Sequence, residues 1–350
     1  MYKSQARGQL LEIVLEKLIE VNGYKVINEG EDVEEQNNGL NVRGRGGFHQ
    51  CDSLGEFKIT PPFMYPLRLF VEAKFYEKEK VGIEKVRMGI GILQDVNTNY
   101  STCDMDYNQL NLTRYDYHYA LFSTSGFTFP AQRMALAHKI GLIDLSNGQL
   151  SFIKSLIRDI VNLLFDNVNI SEGVFNQFKK IFKNIINNHF EDYSCKLYEM
   201  SRLLEDSYFL SDLERLINDL VNQIQNQSIY LASIRSSQII ALIPKNNEDF
   251  KLSLKRNPHQ SVSINWEDHN GDWIVRPEDQ SYELIFKLPE LLVRELSQNL
   301  ENIEANSMAM KESVLATMSF VAYLDNQNPT LCTLKFDKEM TLGNINRFNT

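Results

Sequence analysis

A chain of 350 residues with 43% apolar content has room for about two packed domains and the composition of an ordinary globular protein. Its formal net charge of −10 excludes a broadly basic nucleic-acid coat. No apolar run approaches the ~20 residues of a membrane span and MYKSQARGQ lacks a signal-peptide core, so a cytoplasmic protein with no membrane partner is expected. Cys51, Cys103, Cys195 and Cys332 are scattered without a C-x-x-C, which suggests neither zinc nor a disulfide framework.

Residues 4–22 predict an amphipathic helix with the stripe Leu10, Leu11, Val14, Leu15, Leu18 and Ile19, capped by Ser4 and ended by Asn22-Gly23. Glu12 sits on the edge of that stripe. Residues 24–27 read as a short strand, and the acidic, Asn-rich stretch 30–39 as a mobile loop. Residues 67–76 then form an apolar strand after Pro66. Alternation puts Phe70, Glu72 and Lys74 on one face and Leu69, Val71 and Ala73 on the other. By the same rule Gln50 and Asp52 share a face, with His49 and Cys51 behind them. A hairpin across Pro61-Pro62 would bring Asp52 to Glu72 and Lys74.

Two carboxylates and a lysine converging beside a core must be paired or hold a metal. Asp52 and Glu72, with the Ala73 carbonyl and water, suit a hard cation such as Mg²⁺, for which Mn²⁺ can substitute. Lys74 beside it can position or deprotonate a water and steady developing negative charge, which is equipment for phosphodiester hydrolysis. The plainer alternative is a Glu72–Lys74 surface pair beside an unrelated aspartate. Gly44, Gly46 and Gly47 flank Arg45 and let the backbone approach a phosphate, although no G-K-[ST] follows to make a P-loop. Arg45 is a candidate contact to the scissile strand. His49 is either a contact to a neighbouring phosphate or a satisfied strand histidine. Arg43, Lys58 and Arg68 extend the basic cluster.

Residues 81–96 predict a helix with Val86, Ile90 and Leu93 inward and Gln94 near its end; residues 97–114 predict a polar loop bordering a cleft. A buried strand at 117–123, a helix carrying Ala131, Met134, Ala135 and Ala137, and a strand around Ile140, Leu142 and Ile143 follow, then a turn at Asn147-Gly148. Helical stripes recur at 151–165, 172–190 and 211–227, the last opened by a Ser211/Glu214 capping box. From 228 the runs IYLASI, QIIALIP, KLSLKR, SVSINW, DWIVR and YELIFKL, with Asn270-Gly271 between Trp266 and Trp273, predict an antiparallel β module. A helix with Leu291, Leu292 and Leu296, another around 307–323 and a strand at 331–336 complete it. Trp266 and Trp273 read as hairpin core residues, with stacking on a base or a partner as the alternative.

The stretch GRGGFHQCD, with E-A-K closing an apolar strand about twenty residues later, resembles the Mrr-like restriction endonuclease domain of the PD-(D/E)XK nuclease superfamily. S-T-S-G-F-T leading into a helix, and then L-I-D, resemble the close of that domain; the departure is Leu145-Ser146 where the family usually has glycine. The resemblance covers about residues 1–150. It implies a restriction-endonuclease-like mixed sheet flanked by helices in an α/β protein; beyond it no family is recognised, and the stripes and strand runs read as a helical linker or bundle at 151–227 and a β-rich α+β module at 228–350. It further implies a Mg²⁺-dependent DNA endonuclease in restriction or anti-phage defence. Asp52 and Glu72 would be its metal ligands, Lys74 its water-positioning group and Glu12 a residue lining the site. Gln94 or Gln50 would orient a ligand. DNA is then the expected partner, with a companion defence subunit or a homodimer compatible. The alternatives are a catalytically silent DNA-binding or assembly subunit and a repair or junction-resolving nuclease.

Overall fold

The first helix, α1 (Lys3–Val21), buries Leu10, Leu11, Val14, Leu15, Leu18 and Ile19 as its stripe requires. Its cap is Tyr2 rather than Ser4: the Tyr2 N–H donates to Gln5 Oε1 at 3.2 Å, and Ser4 lies inside the first turn. Gly23 ends it at φ +94°, where a Cβ would also meet Val321 at 2.8 Å. The computed structural model describes residues 1–36, 39–98, 114–168, 170–187, 193–204, 208–225, 228–235, 238–267, 271–297, 303–325 and 328–341. Most of the expected polar loop at 97–114, together with Cys103 and Asn270, therefore lies outside the described residues.

After β1 (Tyr24–Val26) the acidic stretch is not a loop. It forms β2 (Val33–Gln36), which with β3 (Gly39–Arg43) and β4 (Phe48–Cys51) makes a three-stranded antiparallel sheet. Pairing accounts for it: Val33 sits directly opposite Val42 and both are buried, while the acids that follow, Glu34 and Glu35, stand exposed. The charge of this segment hid the buried Val33.

The main sheet has five strands in the order β1, β5 (Ser53–Phe57), β6 (Leu67–Lys74), β7 (Asp116–Ser123), β8 (Gly141–Asp144). Its first three strands pair antiparallel and its last three parallel, so it is mixed. The parallel connections run through α2 (Ile83–Asn97) and α3 (Phe129–Ala137), which cover one face. Thr128 caps α3 by accepting from the Ala131 N–H. Against the other face lie α1, then α4 (Ser151–Asn167), α5 (Glu172–Asn187), α6 (Tyr193–Leu204) and α7 (Leu210–Gln225). Ile153, Ile157, Phe178, Phe182, Leu213 and Ile217 join Leu10, Leu11 and Val71 in one continuous core. Ser211 falls within α7, so it does not cap that helix. Strand β6 is covered on both faces, with Leu69 and Val71 toward α1 and Phe70 toward α2.

The C-terminal part is a closed seven-stranded barrel, built from β9 (Tyr230–Ile234), β10 (Ile239–Pro244), β11 (His259–Glu267), β12 (Asp272–Pro277), β13 (Leu284–Phe286), β14 (Thr317–Asp325) and β15 (Asn328–Phe336). Neighbours pair antiparallel except β11 with β15, which run parallel. KLSLKR is no strand but the body of α8 (Asn247–Arg256). The Asn246 side chain accepts from the Glu248 and Asp249 N–H groups, acids fill the first turn, and Lys255 and Arg256 fill the last. The expected helix at 307–323 splits: α10 (Ile303–Ser313), which follows α9 (Glu290–Ser297), stops before β14 begins at Thr317. Barrel and N-terminal part are tied by Asn22, whose side chain accepts from the Leu231 N–H at 2.7 Å and donates to the Ile229 carbonyl at 3.3 Å. No described helix is long and apolar enough to cross a membrane.

Candidate active site

Asp52 sits at the bend where the chain leaves the three-stranded sheet and enters the main one, between β4 and β5. Gln50 and Asp52 therefore do not share a face of one strand. Gln50 stays on the small sheet, opposite Asn41 and exposed. The bend is held from both sides: the Asp52 N–H donates to the Val71 carbonyl at 3.0 Å, and the Ala73 N–H donates to Asp52 Oδ2 at 2.6 Å. Since Ser53 pairs with Val71, these bonds set Asp52 beside Glu72 on β6. Glu72 is buried and ion-paired with Lys74, itself one-fifth exposed. Asp52, Glu72 and Lys74 thus meet through the expected hairpin, with Asp52 delivered by the bend rather than by a strand face shared with Gln50.

The electrostatics follow from that crowding. Burial and then the Glu72 charge push the Asp52 carboxyl up to about 6, against the Ala73 N–H and Lys74, which lower it. Burial works against the charge of Lys74, but Glu72 and then Asp52 outweigh it and raise its pKa. Glu12, from α1, belongs to the same field. Burial and then Asp52 lift its carboxyl to about 8, with Lys179 of α5 and Lys74 opposing. A folded-state pKa above the ordinary 4.5 means the native chain binds the extra proton between those values. Glu12 therefore lowers stability as pH rises from about 4.5 to 8. Urea unfolding at pH 5 and pH 8 should show Glu12→Gln flattening that decline; an equal slope in the variant would place the titration elsewhere.

The Glu72 charge that raises the Asp52 pKa marks a site whose repulsion a divalent cation relieves. Asp52, Glu72 and the Ala73 carbonyl supply oxygen donors of the kind Mg²⁺ takes, leaving places for water. Among the described residues no cluster of three or more His, Cys, Asp or Glu side chains is placed to hold a metal.

The glycine loop is anchored by a residue the sequence reading passed over. Asp95, at the end of α2, accepts from the Gly46 N–H through both oxygens at 2.9 and 3.1 Å and bonds His49 Nε2 at 2.7 Å. Its carbonyl accepts from the Arg45 N–H at 3.3 Å. A Cβ on Gly44 would collide with the Asp95 carboxylate, so glycine is needed there for close approach. Arg45 projects from this cinched loop, exposed, and the Arg43 guanidinium lies 6.0 Å from the Phe48 ring centroid. His49 is committed to Asp95, and the Gln94 side chain is exposed beside it. The sequence signal available was the pairing of a glycine-rich turn, which cannot hold itself, with an acid on the following helix. Asp95→Ala should free the loop and give faster amide exchange at Gly46; unchanged exchange would show that the loop holds itself.

Tyr119 was also missed. It stacks on Phe70 at 5.2 Å, its ring lies against Gly89, and its hydroxyl is buried with no hydrogen-bond partner among the described residues. Burial, then Glu72 and Asp52, hold its proton on. Two expected cations are spent elsewhere. Arg68 is buried and donates to both Asp32 oxygens at 2.9 and 2.8 Å, to Glu56 and to the Tyr117 hydroxyl. Lys58 donates to the Tyr323 hydroxyl of the barrel at 2.9 Å.

No family model matches the chain, and no curated protein does. Among solved structures it is similar to one described as "Crystal Structure of Protein of Unknown Function AF1548". The two are 12% identical over 63% of this chain and 99% of that one, with a TM-score of 0.35, too loose a likeness to carry an argument about fold or chemistry.

Proposed function

We propose that the chain is a metal-dependent DNA endonuclease of the Mrr-like, PD-(D/E)XK type, acting in restriction or anti-phage defence. The observation that carries this reading is the placement of Asp52 at the sheet-to-sheet bend, locked by the Ala73 N–H beside the Glu72–Lys74 pair. A mixed sheet with its antiparallel hairpin at one side and parallel crossovers at the other suits a restriction-endonuclease-like core. Asp52, Glu72 and the Ala73 carbonyl would hold Mg²⁺, which when bound supplies Lewis-acid polarisation of the phosphate and acidifies a coordinated water. Lys74 holds a positive charge where negative charge grows on the phosphate, and it orients the attacking water. Glu12 faces the same charges from α1 and fits an outer position around the metal. The exposed Arg45, on its anchored loop, contacts the DNA backbone.

A second reading, a nuclease-like fold kept for DNA binding or assembly, draws support from one observation. Arg68 and Lys58 are consumed by internal contacts, which leaves a chain of net charge −10 with fewer free cations near the site. Incubating the purified chain with supercoiled and linear plasmid in Mg²⁺ or Mn²⁺ tests both. Chelator-sensitive cleavage supports the nuclease. DNA binding without cleavage, with plasmid, phage DNA and candidate partner subunits all tried, supports the binding fold.

A further inference from the structure

The chain has two tryptophans, and they meet at one place on the barrel. Trp266 and Trp273 are direct cross-strand partners, with ring centroids 6.5 Å apart and planes 26° apart. On its other side Trp273 is directly opposite Phe286, at 6.1 Å and again 26°. Trp273 and Phe286 are buried in the barrel core, whereas Trp266 is 43% exposed. The row of rings therefore runs from the barrel interior to its surface. Lys311, from α10, is only 6% exposed and sets its Nζ 5.8 Å from the Trp273 ring centroid. A cation over an indole face is favourable, though the ring quadrupole replaces only part of a lost counter-charge.

Among the described residues no carboxylate lies near enough to influence Lys311, and burial alone draws its pKa down to about 8. A mostly buried lysine with no carboxylate beside it among the described residues is costly to keep charged, and an anion brought by a ligand would offset that cost. The neighbouring acid does not serve. Asp272 precedes Trp273 and points to the other side of the strand, where it accepts from Gln149 Nε2 at 3.3 Å and lies 3.8 Å from Lys287 Nζ.

An exposed ring continuing a stack whose buried member carries a cation, one with no counter-charge among the described residues, matches one nucleotide unit: a flat base and a phosphate. We infer that the barrel carries a site for single-stranded nucleic acid, with a base stacking on Trp266 and its phosphate accepting from Lys311. Strand separation is required because a base in a duplex has both faces covered by its neighbours. The choice of ligand rests on the nuclease reading above; the geometry of rings and amine stands without it. The barrel would then capture an unpaired stretch of the DNA that the N-terminal site cuts.

Both tryptophans belong to the site, so intrinsic fluorescence reports on it alone. The test uses the full chain carrying Lys74→Ala in EDTA, so that nothing is cut, titrated with an oligo-dT strand. Tryptophan emission should be quenched saturably, and a duplex of equal length should quench much less. Measured by anisotropy of a labelled strand, Trp266→Ala should weaken binding about tenfold. Lys311→Met, which keeps the buried stem, should weaken it and reduce the slope of log affinity against log salt by about one. Circular dichroism checks that both variants fold. Unquenched emission, or affinities unmoved in both variants, overturns the inference. Inorganic phosphate that competes fully while Trp266→Ala binds normally reduces the site to an anion site and also overturns it. Cleavage is not measured, so a chain that proves inactive as a nuclease can pass this test and an active one can fail it.

Discussion

Lys74→Ala should reduce Mg²⁺-dependent DNA cleavage on the order of 10²–10³-fold, the range seen when one preorganised donor is removed from a developing oxyanion. The geometry explains why the effect should be large. Lys74 is the cation bonded to Glu72, four-fifths out of solvent, on the strand whose next-door N–H holds Asp52. Low exposure strengthens each of these interactions. Lys74→Arg should restore the charge and the pairing with Glu72 without the same point of contact, and so recover folding fully but activity only in part. Asp52→Asn should be as damaging, since a neutral amide is a poor ligand for a hard cation, yet the Ala73 N–H can still be accepted by its oxygen. Single-turnover cleavage of plasmid, with thermal melts run beside it, checks all three. A folded Lys74→Ala enzyme retaining wild-type rate would remove Lys74 from the chemistry.

Much of the N-terminal sheet was legible because its residues obey simple periods. The α1 stripe, the face alternation of β6 and the inward Ala131 and Ala135 of α3 can each be read directly from spacing. The convergence of Asp52, Glu72 and Lys74 followed from one further step, the β5–β6 hairpin. What escaped was whatever depended on a distant partner. The stretch holding Val33 looked like a mobile loop because its two buried residues are separated by few positions from exposed acids, and only pairing with Val42 makes it a strand. KLSLKR alternates like a strand, yet Asn246 upstream and the charge order across the segment favour a helix, and those end effects prevailed. Within the site, Asp95 and Tyr119 carry no local pattern at all. They matter because α2 is laid across the sheet, which no short window of sequence records.

Arg68 makes the same point with the largest expected cost to stability. Read along the chain, it is one more base in a cluster that could meet DNA; in the fold it is a buried fork. Its Nη1 donates to both oxygens of Asp32, its Nε donates to Glu56 at 3.1 Å, and its guanidinium carbon lies 3.4 Å from the Tyr115 ring centroid. The Asp32 side chain is itself about nine-tenths buried and also accepts from the Tyr117 hydroxyl. Arg68→Ala would leave that carboxylate out of water with its counter-charge gone, a change that typically costs 3–5 kcal/mol. Equilibrium urea unfolding should therefore show a loss of that size, with the midpoint falling and the slope little changed. Arg68→Met with Asp32→Leu separates the cause, because it removes both buried charges and keeps the volume; the double variant should be more stable than Arg68→Met alone. If the stranded carboxylate is not the source, the double variant will be the less stable of the two. The same measurements bear on function. Arg68 ties the residue before β2 to β6 through Asp32, and β6 holds the bend that carries Asp52 through the Val71 carbonyl and the Ala73 N–H. An Arg68 variant that is destabilised yet, below its melting temperature, binds DNA like wild type would assign this guanidinium to building the site rather than to touching the nucleic acid.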